Sequence, residues 1–295
     1  QFGGSIGNWL GKLAHLDEFD HHVMIMCGMS AAFAAVFGTP MAAAVFAMEV
    51  ASVGVMYYAA LLPCVIAAII AAEFATGMGI DPETFPVHSI PGLTVETGLK
   101  MALIAVGCGI LSILFCILLK IVGQLYTKYL KNPYIRIVVA AGVIILITIC
   151  LNTKDYMGAG SGLIARAIEN GEAGPLDFLW KMLLTALTMR AGYRGGEIVP
   201  AFSVGATFGC VAGGILGFSP ELAAAAGMVA LFCGVTNCPI TAMLISFELF
   251  GFSGAAYYLI AISISYAVSG YYSLYKDQTI VYSKYKARYI NRKTR

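Results

Sequence analysis

A short stretch of the chain, GYRGGEIVPAF, combines residue types that could bind an anion. Two adjacent glycines, Gly195 and Gly196, would allow the backbone to take positive φ and to approach a ligand closely. Pro200 suits the first turn of a helix that the following apolar residues continue to Leu216. Main-chain N–H groups at the start of such a helix have no intrahelical acceptor, and the helix dipole adds positive potential. The stretch therefore predicts an anion site built from backbone amides.

The carboxyl group of Glu197 stands inside the same stretch. An ionised carboxylate would repel an anion, and both desolvation and a neighbouring anion favour its protonated form. A protonatable carboxyl group beside an anion path is a candidate proton carrier. The alternative is an exposed glutamate that faces a vestibule and pairs with Arg194. The residues alone leave both interpretations open.

The composition indicates that membrane helices carry these residues. The chain is 59% hydrophobic and 12% charged, and a soluble domain has about twice that charged fraction. Several apolar runs approach the roughly 20 residues with which a helix spans a bilayer. We therefore predict an all-α, multi-pass membrane protein. The net charge of +2 gives no reason to expect nucleic acid as a partner.

The apolar segments are of two kinds. The long and nearly uninterrupted ones read as complete spans, at residues 56–75, 98–125 and 254–275. The short ones are interrupted by Gly or Pro, at residues 23–37, 40–50, 200–216, 221–235 and 239–249. Broken helices at membrane depth are tolerated where protein or a water-filled cavity satisfies the backbone. Such helices are typical of ion and substrate sites.

An internal repeat relates two of the short segments. AAFAAVFGTPMAAAVFAMEV (31–50) aligns without gaps with ALFCGVTNCPITAMLISFEL (230–249), and six of the twenty positions are identical. Each copy begins a short helix with a proline, Pro40 or Pro239, and places a glutamate nine residues later, Glu49 or Glu248. Paired broken helices in duplicated halves are the architecture of secondary transporters. The two glutamates are candidates for ion binding, or they accept hydrogen bonds from the backbone in a structural role.

Two further sets of residues could bind a metal ion. The eight cysteines lie in apolar stretches without ligand-like spacing, and we interpret them as buried small side chains. The cluster HLDEFDHH, residues 15–22, is interpreted as an interfacial loop, because no helical spacing would hold its ligands. We therefore expect neither a metal site nor a cofactor.

The charges are unevenly distributed along the chain. Residues 120–136 contain four basic side chains and no acid, and residues 284–295 contain six basic side chains and no acid. Residues 76–99 contain three acids and no Lys or Arg. The positive-inside rule places the two basic regions, and with them the C-terminus, in the cytoplasm and the acidic region outside.

At the level of motifs the chain resembles the CLC family of chloride channels and anion/proton antiporters. GGEIVP matches the GxFxP motif of that family, with Ile198 in the Phe position. FGTPMAAAVFAMEV and TNCPITAMLISFELFG resemble its two Pro-led short helices. TIVYSKYK resembles its last segment, which supplies a Tyr hydroxyl, and QFGGSIG resembles the continuation of its GREGxxVQ motif. The resemblance covers nearly all 295 residues.

The resemblance implies a CLC-type inverted-repeat bundle with many short broken helices. It implies a single transmembrane domain over 1–295, which is only part of the family's domain. Residues 1–50 would end the first-half repeat, 51–150 would form central spans, and 151–295 would form the second-half repeat with a C-terminal anion-site segment. Because the chain starts at Gln1, the family's gating glutamate and first selectivity motif are expected upstream.

The resemblance also implies roles for particular residues. The backbone amides of Glu197 and Ile198 would face the central anion, within the motif that starts at Gly195 and Gly196. Tyr282 would donate its hydroxyl, which is a neutral donor on a rigid stem. The family further implies a homodimer in a bacterial-type cell membrane, with a dimer face formed by about 40–75 and 239–275.

The sequence thus predicts transport of a halide, chloride or fluoride, by a channel or a proton-coupled antiporter. Val50 stands where many proton-coupled chloride antiporters have an inner glutamate, which argues against their usual inner proton route but fits a chloride channel. Glu197 and the ELFG ending resemble the fluoride/proton branch. One alternative is a cation/proton transporter that uses Glu49, Glu197 and Glu248 as ligands. The other is an intramembrane enzyme, although the sequence has no Ser/His, HExxH or paired-Asp arrangement that would support one.

Overall fold

Helices make up most of the structure, a computed structural model that describes residues 1–80, 82, 84–286 and 288–294. Twelve α-helices fall within these ranges: α1 (Phe2–Leu13), α2 (Glu18–Phe37), α3 (Pro40–Glu49), α4 (Leu61–Gly77), α5 (Val95–Tyr129), α6 (Pro133–Leu151), α7 (Ser161–Glu169), α8 (Asp177–Ala191), α9 (Ile198–Ile215), α10 (Pro220–Thr236), α11 (Pro239–Phe250) and α12 (Ala255–Val268). A short 3-10 turn, Tyr58–Ala60, leads into α4. The predicted all-α fold class is confirmed.

Within the described ranges, five helical segments are long and apolar enough to cross a membrane: Glu18–Phe37, Tyr58–Gly77, Val95–Tyr129, Pro133–Leu151 and Ile198–Ile215. The prediction of a complete span at 254–275 is wrong, since α12 has only 14 residues. It is followed by Ser269 and by Gly270, whose φ of 59° no longer fits a right-handed helix. The prediction of a short segment at 23–37 is also wrong, because α2 has 20 residues.

The polar first turn of α2 accounts for the difference between the predicted segment, 23–37, and the observed helix, Glu18–Phe37. Residues 18–22, which were expected in a loop, form the first turn of the helix. Asp17 caps this turn by accepting a hydrogen bond from the amide of Asp20 at 2.8 Å. The polar residues that favour a helix start therefore hide the helix from a search for apolar runs. Among the cysteines, the expectation of burial fails for Cys150, which is exposed on α6, and is met only in part by Cys27, which is half-buried on α2.

A small three-stranded sheet, which the sequence did not predict, accompanies the helices. It consists of β1 (Ser52–Val53), β2 (Thr279–Tyr282) and β3 (Tyr289–Lys293). β1 is parallel to β2, and β2 is antiparallel to β3. The run TIVY is rich in β-branched and aromatic residues, which favour a strand.

The chain forms two compact units that interleave in sequence. Unit 1 comprises residues 1–86, 236–255 and 275–295, and unit 2 comprises 87–235 and 256–274. Unit 1 therefore contains α1–α4, α11 and the sheet. In it α1 packs closely on α2 through glycines, and a Cβ on Gly3 would lie 2.1 Å from the carbonyl oxygen of Gly28. Unit 2 contains α5–α10 and α12, and its apolar core includes Phe115 of α5 and Val204 of α9.

Candidate functional site

The predicted anion motif lies at the start of α9. Glu197 is the N-cap residue, Ile198 is the first helical residue, and Pro200 lies in the first turn. The loop that precedes the helix, residues 192–196, is exposed, while Glu197, Ile198 and Val199 are half-buried. Proline suits this turn because its missing N–H would have no intrahelical acceptor there.

The expectation of positive φ at Gly195 and Gly196 is wrong. The glycine with positive φ is Gly192, at 117°, which ends α8 in the left-handed conformation. A Cβ on Gly196 would have no neighbouring atom within 4 Å, and a Cβ on Gly195 would meet only the sulfur of Met189 at 3.4 Å. Neither the backbone conformation nor the packing of the described residues therefore requires glycine at these two positions.

The side chain of Glu197 does not cap its own helix. Its Oε1 instead lies 3.3 Å from Nη2 of Arg190, in the last turn of α8. The alternative interpretation expected Arg194 as the partner, but the ion pair found among the described residues is with Arg190. No described residue accepts a hydrogen bond from Nε of Arg190, which is buried.

The first turn of α9 contains backbone amides that have no intrahelical acceptor. The first backbone hydrogen bond into the helix runs from the amide of Ala201 to the carbonyl of Glu197, at 3.2 Å. The amides of Ile198 and Val199 precede it and have no intrahelical acceptor. Because the dipole of an 18-residue helix ends here, the site carries positive potential. This arrangement can bind an anion through neutral donors.

Close backbone contacts within unit 2 fix the position of α9. A Cβ on Gly209 would lie 2.1 Å from the carbonyl oxygen of Ala223, and one on Gly205 would lie 2.4 Å from that of Gly227. Both acceptors belong to α10, so the two helices touch through their main chains. Small residues permit this approach in membrane proteins. The N-terminus of α9 is thus held by contacts that larger side chains would push apart.

Lys181, which the sequence reasoning did not single out, fixes the loop beside α9. This fully buried lysine of α8 donates from Nζ to the carbonyl oxygen of Gly158 at 2.8 Å and to that of Tyr156 at 3.1 Å. Ser203 of α9 donates to the carbonyl of Gly160, in the same loop, at 2.8 Å. A charged residue within the apolar run LWKMLLTAL was the signal that could have identified Lys181.

In unit 1, the two repeated helices bind each other through their glutamates. Glu49, at the end of α3, accepts from the amides of Ile240 at 3.1 Å and Thr241 at 2.9 Å, and from the hydroxyl of Thr241 at 2.6 Å. Glu248, in the last turn of α11, accepts from the amides of Met41 and Ala42, each at 2.9 Å. The N-termini of α3 and α11, which begin at Pro40 and Pro239, are therefore occupied by protein carboxylates.

Tyr282 ends strand β2 in unit 1. Its side chain is 48% exposed, and its ring packs edge-on against Tyr289 with the ring centroids 5.8 Å apart. Gly54, with φ of 89°, stands against it, since a Cβ there would lie 3.1 Å from Cβ of Tyr282. Tyr282 and the start of α9 belong to different units, so the prediction that both bind one anion stays a prediction.

These features together define a class of protein. Short, proline-led helices in a helical membrane protein, together with helix N-termini that can bind an anion, are typical of ion-transport proteins. The chain belongs to the voltage-gated chloride channel family, the CLC family, because the sequence model of that family matches residues 1–270. The resemblance seen in the sequence is confirmed.

Curated relatives carry related names. The chain is 32% identical to a chloride/fluoride channel protein of Pseudomonas syringae pv. tomato, over 97% of this chain and 64% of the relative. It is 28% identical to the H(+)/Cl(-) exchange transporter ClcA of Vibrio cholerae, over 84% of this chain and 56% of the relative. The chain thus spans about three-fifths of the length of these two relatives.

A solved structure has the same fold. It is the crystal structure of a CLC-type fluoride/proton antiporter, which is 32% identical to this chain and superposes with a TM-score of 0.89. The match covers 94% of this chain and 70% of that structure's chain. The CLC-type helical fold is therefore established for the described residues.

Proposed function

We propose that the protein containing this chain transports a small halide anion across a membrane in exchange for protons. The anion binds at the N-terminus of α9, where the amides of Glu197 and Ile198 face it and Gly195 and Gly196 leave room for its approach. We also propose that Tyr282 donates its hydroxyl to the transported halide. A site of neutral donors suits transport, since an anion must be bound weakly enough to leave again.

The observation that carries this proposal is a difference between three helix N-termini. The first amides of α3 and α11 are bonded to the carboxylates of Glu248 and Glu49, whereas the carboxylate at the start of α9, Glu197, does not bond to the amides of its own helix. The carboxylate that could have capped α9 is paired with Arg190 instead. We propose that the N-terminus of α9 binds an anion from outside the protein.

The same contacts speak against cation transport. A cation site would need carboxylate oxygens that are directed at the ion. The oxygens of Glu49 and Glu248 are instead bonded to backbone amides, which attract anions and repel cations. Two of the three glutamates that a cation transporter would use therefore stabilise helix contacts rather than point their oxygens at an ion.

We further propose fluoride as the preferred halide. Both the chloride/fluoride channel protein and the fluoride/proton antiporter are 32% identical to this chain, which supports the fluoride branch. The H(+)/Cl(-) exchange transporter is 28% identical over a smaller share of the chain. Fluoride is the halide that accepts the strongest hydrogen bonds, so it suits a site made of amide and hydroxyl donors.

The proposed orientation follows from the charges on α5. This helix has 35 residues and is about 52 Å long at 1.5 Å per residue, which exceeds the roughly 30 Å of hydrocarbon. Glu96 in its first turn pairs with Lys100, and its later turns contain Lys120 and Lys128 without an acidic residue. We propose that the start of α5 is external and that the basic C-terminus is cytoplasmic. Trypsin should then cleave the protein after Lys286 in inside-out vesicles but not in intact cells.

Flux measurements on the complete gene product in liposomes test the function. Fluoride-, chloride- and sodium-loaded vesicles are compared with ion-selective electrodes while the external pH is recorded. We expect fluoride efflux that is accompanied by proton uptake and that can be driven uphill by a pH gradient. Halide flux without proton movement would favour a channel, and flux of sodium alone would overturn the proposal.

A further inference from the structure

A buried polar network in unit 1 joins the ends of three elements. Gln278, which is 3% exposed, donates from Nε2 to the carbonyl oxygens of Thr236 at 2.7 Å and Val50 at 2.9 Å. Its Oε1 accepts from Nδ2 of the fully buried Asn237 at 3.0 Å. Nζ of Lys284 donates to Oδ1 of Asn237. Every polar atom of the Gln278 amide group thus has a protein partner, as a buried amide requires.

The network depends on an unusual backbone position. Asn237 has φ of 60°, and Gly38, its counterpart in the other copy of the repeat, has φ of 66°. Each residue directly precedes the N-cap of a Pro-led helix, Thr39 of α3 or Cys238 of α11. Asn is one of the few residues other than Gly that tolerate the left-handed region. The second copy can therefore place a polar side chain where the first copy has none.

Gln278 immediately precedes the strand that ends in Tyr282. The pairing of β2 with β1 is short, with Ser52 opposite Thr279 and Val53 opposite Ile280. β1 has only two residues and begins just after Val50, the residue that accepts a hydrogen bond from Gln278. A sheet this small is marginal without other support. The side chain of Gln278 therefore supplies contacts that the strand ladder lacks.

We infer that Gln278 is a positioning residue for the hydroxyl of Tyr282. Its amide group attaches the start of β2 to the end of α3 and to the turn before α11, while Gly54 leaves the space in which the backbone of Tyr282 lies. The ring of Tyr282 is half exposed, and its ring contact is with Tyr289 of the neighbouring strand β3. A hydrogen bond weakens steeply with distance and angle, so a shifted strand would weaken the bond to the anion. The inference rests on the role proposed above for Tyr282.

A double-mutant cycle tests the inference. Fluoride affinity is measured by calorimetry on the complete gene product for Gln278→Ala, Tyr282→Phe and the double variant. We expect each single change to weaken binding about tenfold, as the loss of one hydrogen bond does. We expect the double variant to bind no more weakly than Tyr282→Phe alone, because Gln278 acts through the lost hydroxyl. Gln124→Ala, at an exposed position of α5, is the matched control and should bind normally.

Asn237→Gly provides a second variant, which keeps the left-handed turn and removes only the side chain. Asn237→Gly should weaken fluoride binding less than Gln278→Ala, since Gln278 keeps its two carbonyl partners. In a protein that already carries Tyr282→Phe, adding Asn237→Gly should weaken binding no further. If Gln278→Ala does not fold, Asn237→Gly decides the question in the same cycle. Additive losses, or normal affinity in Gln278→Ala while Tyr282→Phe is weakened, would overturn the inference and leave the proposed site intact. Unchanged affinity in Tyr282→Phe would instead remove the hydroxyl from the proposed site.

Discussion

Glu49, at the end of α3, binds the first turn of α11, and Glu248, in the last turn of α11, binds the first turn of α3. Glu49 accepts from the second and third residues of α11, and Glu248 accepts from the second and third residues of α3. The helices are therefore antiparallel, and the same contact is made twice with the copies exchanged. A carboxylate at a helix N-terminus is bonded to free amides and is favoured by the dipole.

Substituting either glutamate should destabilise the protein. We expect Glu49→Gln to cost about 2–3 kcal/mol, since hydrogen bonds to a charged group contribute about 1.5–3 kcal/mol each and the amide keeps only part of them. Glu248→Gln should cost less, because Glu248 accepts two bonds rather than three and is half-buried. Denaturant or thermal unfolding in detergent measures both changes.

Glu169→Gln, at an exposed position near the end of α7, serves as the control and should leave stability unchanged. Halide selectivity should persist in both Glu49→Gln and Glu248→Gln. Unchanged stability together with a loss of ion binding would identify the two glutamates as ligands and would support the alternative of a cation/proton transporter.

These glutamates show what the sequence could predict and what it could not. The helix starts at Pro40 and Pro239 follow from local chemistry, because proline at the first helical position loses no hydrogen bond. The acceptors of each carboxylate lie almost 200 residues away, so only the tertiary fold reveals them. The burial of Lys181 and Gln278 is of the same kind, since a buried polar group depends on partners that are close only in space.

The misassigned glycines have a local explanation. Gly192, Gly195 and Gly196 stand in one exposed loop, and the loop needs positive φ at the residue that ends α8. The sequence shows three candidates but does not show where the preceding helix ends, and helix ends are uncertain by one or two residues. The composition did predict the membrane helices, because hydropathy and length decide that property.

Replacing Tyr282 by Phe should weaken halide binding without abolishing it. One hydroxyl bond to an anion contributes about 1.5–3 kcal/mol at most, and the amides at the start of α9 would remain. Calorimetry with fluoride and chloride measures the change. The control is Tyr285→Phe, an exposed tyrosine in the same C-terminal segment. Equal affinities in Tyr282→Phe and wild type would show that the hydroxyl does not contact the ion.

The complete protein should be a homodimer through a face that includes α4. Leu62, Ile66 and Ile70 are 69%, 49% and 64% exposed and follow one another at a spacing of four residues, so they form one apolar stripe. Introducing Trp at Ile66 and Ile70 should overpack this face and give monomers on size-exclusion chromatography with light scattering.

Ile145→Trp is the matched control for the dimer prediction, since Ile145 is 56% exposed on α6, outside the predicted dimer face. It should leave the dimer intact. A wild-type monomer in mild detergent, or a dimer that is unaffected by the α4 pair and lost with Ile145→Trp, would contradict the proposed face.

The last prediction assigns proton movement to Glu197. Its carboxyl group lies at the N-cap of the proposed anion-binding helix, half-buried and 3.3 Å from Arg190. A bound anion favours the protonated carboxyl group, and departure of the anion favours ionisation with Arg190 as the counter-ion. Glu197→Gln keeps the shape and the backbone amides but removes the titration. We expect halide flux to persist in altered form and proton flux to fall several-fold, measured together with a fluoride electrode and a pH electrode in liposomes.

A static Glu197–Arg190 ion pair predicts instead that Arg190→Gln and Glu197→Gln lower stability equally and leave the ratio of protons to halides unchanged. Preserved proton coupling in Glu197→Gln would rule out the carrier role, and a wild type that moves no protons would make Glu197 a residue of the channel wall.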